Sequence, residues 1–206
     1  MTSYNLKTKS TIDDNYSEGL LPQRNDKNLF YQDSSCRSNL SKFQLNSENR
    51  RILRKTQDFH YEKILLPDLS YTPTVQKTIK NWIAQLNWNF PISSVKNIFT
   101  NHIFNYVYIW KDSQNNPVAY SVCYFSDSLS HIAYIFYDPR YSHHDLPIRL
   151  VLQFIIDSTN QGLKYAYLGR FNTSNGYYKR NMPGFEFFVN GKWIEYNKDS
   201  QHLIVK

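Results

Sequence analysis

The sequence predicts an α+β fold in which a mixed, mostly antiparallel sheet is flanked by helices. Three observations carry that prediction. Residues 103–137 hold three strand-like apolar runs joined by short polar turns, residues 145–162 carry an apolar stripe at helical spacing, and residues 165–196 return to strand character. Strands and helices follow one another in blocks, which is the pattern of a helix layer packed on an antiparallel sheet.

The elements follow in order. Residues 1–15 are polar, aperiodic and nearly balanced in charge, so they are expected to form a mobile tail ahead of one domain over residues 16–206, with a small amino-terminal lobe at 16–66. Between 16 and 43, aromatic and aliphatic groups such as Leu29-Phe30-Tyr31 alternate with polar residues and predict two strands. Ser47 and Glu48 start a helical turn that presents Arg50, Arg51 and Arg54, and residues 58–65 read as a strand. Thr72-Pro73 is a helix start: the Thr oxygen accepts from free N–H groups, and Pro sits where no N–H is needed. Val75, Ile79, Trp82, Ile83 and Leu86 then recur at helical spacing, and a short helix over 94–100 leads into strands at 103–111, 117–125 and 130–137. Asp145 and Pro147 open the next helix, whose stripe of Ile148, Val151, Leu152, Ile155 and Ile156 faces the strands and ends at Gly162. A strand at 165–168 and a hairpin at 185–196, turning on Asn190-Gly191, complete the chain. A meander, helix, strand and hairpin in this order resembles the outline of the GNAT acyltransferase fold.

Composition narrows the class of function. A chain of 206 residues with 41% apolar content can fill a core, and its 17 tyrosines serve both as packing with a polar handle and as stacking surfaces. No apolar run approaches the roughly 18 residues that span a bilayer, and the polar start lacks a signal-peptide core, so a cytoplasmic protein with no membrane partner is expected. Cys36 and Cys123 are too few and too far apart for a disulfide framework or a zinc site, and no metal is predicted. Five of the seven net positive charges fall within residues 37–55, where Arg37, Lys42, Arg50, Arg51, Arg54 and Lys55 face one acidic residue, Glu48. Such a cluster reads either as a solvated helix face or as a site that neutralises phosphates.

The order of short motifs is the sharpest signal. Phe136-Tyr137-Asp138-Pro139, Tyr167-Leu168-Gly169-Arg170, Tyr178-Lys179 and Gly191-Lys192-Trp193 come in sequence, preceded by Gly19-Leu20-Leu21-Pro22, Phe30-Tyr31, and Arg37 and Phe43 ahead of Arg50-Arg51. Together they resemble the aminoacyl-tRNA-protein transferases, the arginyl- and leucyl-transferases of the N-degron pathway, over residues 16–196. The chain departs from that pattern by lacking an amino-terminal cysteine cluster. It also has Arg170-Phe171 where Tyr-Trp is usual, and Met182 and Gly184 where Phe and Pro are typical. These departures leave open which amino acid is moved.

The resemblance implies transfer of Arg or Leu from an aminoacyl-tRNA to the amino-terminal α-amine of an acceptor protein, most naturally one beginning with an acidic residue. Arg37, Arg50, Arg51, Arg54 and Arg180 would then contact tRNA, and Tyr137, Gly169, Arg170 and Glu186 would line the substrate site. Lys179 and Tyr178 would hold the terminal nucleotide or the oxyanion, although the same basic stretch also reads as a solvated turn. Asp138 either orients the incoming amine or is a turn residue before Pro139. An aminoacyl ester is already activated, so positioning and charge stabilisation suffice and no cofactor is expected.

The residues speak against acetyl-CoA. A GNAT pyrophosphate site needs glycine for close backbone approach to the phosphates, and residues 138–150 contain none of the six glycines. Pro139, Pro147 and Asp145 occupy that junction instead, while His143-His144 lacks the one-face spacing of a metal site. Cys123, mid-strand among apolar neighbours, reads as inert packing. Two alternatives remain: an N-acyltransferase acting on a peptidoglycan precursor or small molecule, and a catalytically silent RNA- or protein-binding module.

Overall fold

The computed structural model describes residues 6–7, 11–171, 176–197 and 199–203. The amino-terminal third contains β1 (Leu6–Lys7), α1 (Ile12–Ser17), β2 (Leu20–Pro22), β3 (Phe30–Gln32), β4 (Ser35–Asn39), α2 (Ser47–Lys55) and β5 (His60–Leu65). Next come α3 (Pro73–Gln85), α4 (Ile92–Thr100), β6 (Tyr106–Lys111), β7 (Pro117–Phe125) and β8 (Leu129–Tyr137). The remainder is α5 (Leu146–Asn160), β9 (Tyr165–Arg170), β10 (Phe185–Val189) and β11 (Lys192–Glu195). This is the expected α+β arrangement, a large, mostly antiparallel sheet flanked by helices.

Among the described residues the large sheet has eight strands in the order β11-β10-β4-β9-β8-β7-β6-β5, beside a three-stranded sheet of β1, β3 and β2. Every neighbour pair in the large sheet is antiparallel except β8 with β9, which α5 connects as a crossover. The segment 16–66 thus supplies an inner strand, β4, and an edge strand, β5, to that sheet. Expected strand and helix positions agree closely from residue 47 onward. The start differs: the segment expected as a tail ends in a helix capped by Thr11, whose side chain accepts from Asp14 N at 3.1 Å. Asp13 fastens that helix to the β7–β8 turn by accepting from Ser126 and Ser128 hydroxyls at 2.8 and 2.7 Å. Residues 1–5 and 8–10 of the expected tail lie outside the described residues.

Strand alternation divides the core. Tyr108, Trp110, Ala119 and Cys123 pack with Leu150, Val151, Phe154 and Ile155 of α5. Val107, Tyr120, Val122 and Phe136 face the other way, onto Ile79, Trp82 and Ile83 of α3 and Val95, Ile98 and Phe99 of α4. The caps follow the sequence. Thr72 accepts from Val75 N at 3.3 Å, Gly162 takes the left-handed conformation (φ 72°) after α5, and Asn190-Gly191 turns with both φ angles positive.

Two irregularities position the site. The register of β7 on β8 shifts so that Val122 faces Tyr134 while Cys123 faces Ile132, leaving Ala133 as an extra residue. The parallel pairing of β8 with β9 covers Leu129–Tyr165, Ser130–Ala166 and His131–Tyr167 and ends there. Beyond His131 the two strands run on without pairing, and the sheet opens.

Candidate active site

The opening is filled by a cavity of about 830 Å³. Ala133, Tyr134, Ile135 and Tyr137 of β8 and Leu168, Gly169 and Arg170 of β9 line its flanks. Pro147 and Val151 of α5 contribute from one face of the sheet, and Trp88 and Phe90 of the α3–α4 connection from the other. The cavity thus takes lining residues from both faces of the sheet.

Lys179 and Tyr178 stand at this cavity, on a short helical turn after β9. Lys179 Nζ donates to the carbonyls of Leu168 at 2.6 Å and Arg170 at 2.8 Å, which straps the turn across Gly169. Burial draws its pKa below the ordinary lysine value, Cys36 beneath it opposes that pull, and Arg170 adds to it. Burial likewise pushes up the pKa of the Tyr178 phenol, so that it stays protonated. Tyr137, Gly169 and Arg170, expected at the substrate site, all line the cavity. Arg170 is tied at its rim to Asp33 at 2.7 Å.

The other expected residues lie elsewhere. Asp138 is buried and caps the turn after β8, accepting from Arg140 N at 3.0 Å and pairing with its guanidinium at 2.6 Å. Burial alone would raise its pKa, but the Arg140 hydrogen bonds together outweigh that and hold the carboxyl below its usual range. Arg37 and Glu186 form a buried ion pair at 2.8 Å, with Arg37 stacked 3.6 Å from the Tyr165 ring centre and 4.1 Å from that of Trp193. Neither is among the cavity lining, and Arg37 offers no surface to a phosphate here. Arg50, Arg51 and Arg54 lie on the exposed face of α2, where Arg51 pairs with Glu48 at 2.7 Å and with Asp145 at 3.2 Å. Lys55 also reaches Asp145, at 2.9 Å. Arg180 is exposed, and it lines a surface depression together with Asn46, Ser47 and Glu48 at the start of α2, so Arg180 and α2 share one face.

Two cavity residues were not anticipated. Arg24 enters from the loop after β2, its guanidinium 4.5 Å from the Phe90 ring centre, and it has no ion pair among the described residues. No residue pattern marks it. His131 is the other: it is 3% exposed, its Nδ1 lies 2.8 Å from Tyr16 Oη, and its Nε2 has no partner. Burial, reinforced by Lys179 and then His102, drives its pKa down to about 3, so the ring is neutral at ordinary pH. A histidine among the apolar residues of β8 was the available signal. Cys36 and Cys123 are free and buried, and burial pushes the Cys36 thiol up to about 12. No helix of the described residues is long and apolar enough to cross a membrane, and no three metal-ligating side chains gather among them.

No protein-family model matches the chain. Aspartate/glutamate leucyltransferases of Acinetobacter baumannii, strains AYE and SDF among them, are 25% identical to it over 175 residues, covering 80% of this chain. The chain spans 62% of the length of those curated relatives. Among solved structures, the carboxyl-terminal domain of a putative lysylphosphatidylglycerol synthetase from Agrobacterium fabrum aligns with a TM-score of 0.48 and 15% identity, covering 66% of this chain and 46% of that one. An aminoglycoside acetyltransferase from an uncultured soil metagenomic sample, bound to trehalose, aligns with a TM-score of 0.42 and 17% identity, covering 61% and 84%.

Proposed function

We propose that this chain is an acyltransferase that moves an amino acid, Arg or Leu, from aminoacyl-tRNA to the α-amine of an acceptor polypeptide. The observation that carries the reading is the cavity lined from both faces of the sheet, with a basic surface on one side and, on the other, a guanidinium that has no ion pair among the described residues. On the α5 side, Arg50, Arg51 and Arg54 of α2 adjoin Arg180, next in the chain to Lys179. An acceptor stem lying along these cations reaches the cavity with its 3′ end. On the α3–α4 side, Arg24 stands at an aromatic mouth where a carboxylate of the acceptor completes an ion pair. The sequence likeness to aspartate/glutamate leucyltransferases supports the same assignment.

The chemistry asks little of the protein. The neutral amine attacks the ester carbonyl, the tetrahedral intermediate expels the ribose oxygen, and the proton released by nitrogen ends on that oxygen. A free α-amine has a pKa near 7.7–8.0, so a useful fraction is neutral at cytoplasmic pH without a strong base. The junction before α5 is a poor pyrophosphate cradle: Asp145 puts a carboxylate there, and Pro147 removes a donor from the first turn.

The test is a transfer assay with total charged tRNA and a mixture of peptides, read by mass spectrometry. Addition of one amino acid to peptides with Asp or Glu at the amino terminus is expected. Labelling from acetyl-CoA, with none from any charged tRNA, would identify an acetyltransferase instead.

A further inference from the structure

Gly169 leaves a space that two nitrogen atoms overlook. A Cβ built on this residue would lie 3.7 Å from His131 Nε2 and 3.9 Å from Lys179 Nζ, with no other heavy atom of the described residues within 4 Å outside its immediate chain neighbours. Gly169 holds a φ of 75°, which other residues rarely adopt, so the backbone favours keeping that space open. The space adjoins the cavity that all three residues line.

The protonation of His131 follows from counting. Nδ1 meets Tyr16 Oη, and no other hydrogen bond is made by either side chain among the described residues. If the phenol donates to Nδ1, the phenol hydrogen is satisfied and Nε2 carries the ring proton, leaving one unmet donor. If Nδ1 donates to the phenol, the phenol hydrogen and the Nε2 lone pair are both unmet and buried. A buried polar group left unmet loses its hydration with nothing in return, so the first arrangement, with fewer of them, is favoured. Burial keeps Tyr16 protonated far above ordinary pH, with Tyr124, Tyr134, Tyr167 and Asp13 adding to that effect. The groups that face the His131 ring are Tyr16, Lys179 and His102.

We propose that His131 Nε2–H and Lys179 Nζ form a two-donor cradle at Gly169 for the acyl carbonyl oxygen, and that Tyr16 is the positioning residue that fixes the His131 tautomer. Two of the three Lys179 protons are committed to Leu168 and Arg170, which leaves one for the cradle. As the amine nitrogen bonds to the acyl carbon, the carbonyl π pair moves onto oxygen, and both donors shorten to it. When the ester C–O bond breaks, that pair re-forms the carbonyl and the ribose oxygen leaves with the proton that nitrogen releases. The neutral imidazole gives up no proton in this cycle. It acts as a fixed dipole aimed at developing charge.

This rests on the acyl-transfer reading, so the test has one arm that does not. In ¹⁵N NMR of the full chain, with His131 assigned from the His131→Gln variant, the ring should show a protonated Nε2 and a bare Nδ1 from pH 8 to pH 5. Tyr16→Phe should mix the two tautomers. In the transfer assay with leucyl- and arginyl-tRNA, His131→Leu should lower kcat by roughly 10²–10³ with little change in KM. His131→Gln, which returns an N–H near the Nε2 position, should recover at least about a tenth of the wild-type rate. A protonated Nδ1 overturns the cradle. So does a folded His131→Leu protein with unchanged kcat, or a Gln variant as slow as the Leu variant. If the wild type transfers nothing, the acyl-transfer reading falls, and the ring's tautomer still decides the cradle.

Discussion

Arg37 is buried and Arg24 half-buried, and both stack on aromatic rings, yet one faces a carboxylate and the other faces a cavity. Around Arg37 every neighbour answers it: Glu186 pairs with the guanidinium, Asn39 supports that carboxylate at 2.9 Å, and Tyr167 accepts a further N–H at 3.3 Å. Around Arg24 there are Phe90, Trp88 and Tyr134, and no described ion pair. Satisfied polar groups hold a fold together, whereas a buried donor left unmet needs a reason. By that standard β4 is architecture, whereas His131 Nε2, buried without a partner among the described residues at the cavity that Arg24 and Lys179 also line, fits the site proposed above.

The contrast can be broken by measurement, beginning with its largest effect. The pKa of His131 is about 3 in the folded chain against 6.5 when exposed, so between those values the unfolded chain binds more protons. Stability from this ring is complete above about pH 6.5 and is lost as pH falls toward 3, on the order of 4–5 kcal/mol in all. His102, also lowered by burial, acts in the same direction. Thermal melts from pH 8 to pH 4 should therefore show a shallower acid slope for His131→Gln than for the wild type. Equal slopes would mean that the ring charges freely in place.

Removing one partner of the Arg37–Glu186 pair should cost about 3–5 kcal/mol, because it strands a buried carboxylate. Urea unfolding of Arg37→Ala is the measurement, and a loss below 1 kcal/mol would place Arg37 in the exposed, ligand-facing class. Arg24→Ala should do the reverse. Its midpoint should stay near wild type, while KM for an acidic-start peptide rises at least about tenfold, or ~1.4 kcal/mol. If KM is unchanged, Arg24 is only a lid on Phe90. The smallest effect on stability is expected at α2, where Arg51→Glu breaks only solvent-exposed pairs. Combined with Arg50→Glu, it should nevertheless weaken tRNA binding and flatten its dependence on salt.

Periodicity exposed nearly all of the scaffold from residue 47 onward, because caps, apolar stripes and the Asn190-Gly191 turn are local signals. The start of the chain was not legible. Helix α1 is six residues long, too short to announce itself, and it exists because Asp13 and Tyr16 find partners in β7, β8 and their turn. Within the site, Lys179, Tyr178, Tyr137, Gly169 and Arg170 sit in motifs that could be read in order. The Arg37–Glu186 pair was invisible as a pair, since only the pairing of β4 with β10 brings the two together. Asp138 became a cap through Arg140, two residues away, and the opposite reading was equally open from sequence. Arg24 and His131 acquire meaning only from what the fold sets beside them.

The hydrogen bond between Tyr16 and His131 joins positions 115 apart. During synthesis, the first helix waits for most of the chain before its counterpart exists. Strand β4 waits longer still, since its neighbours are β9 and β10. Contacts of such separation are slow to close and gain nothing until they do. A nascent chain released before residue 167 therefore lacks most of β9, and with it one flank of the opening beside β8. The proposed site is therefore assembled across that wait, from Tyr16 and Arg24 on one side of it and His131 and Lys179 on the other.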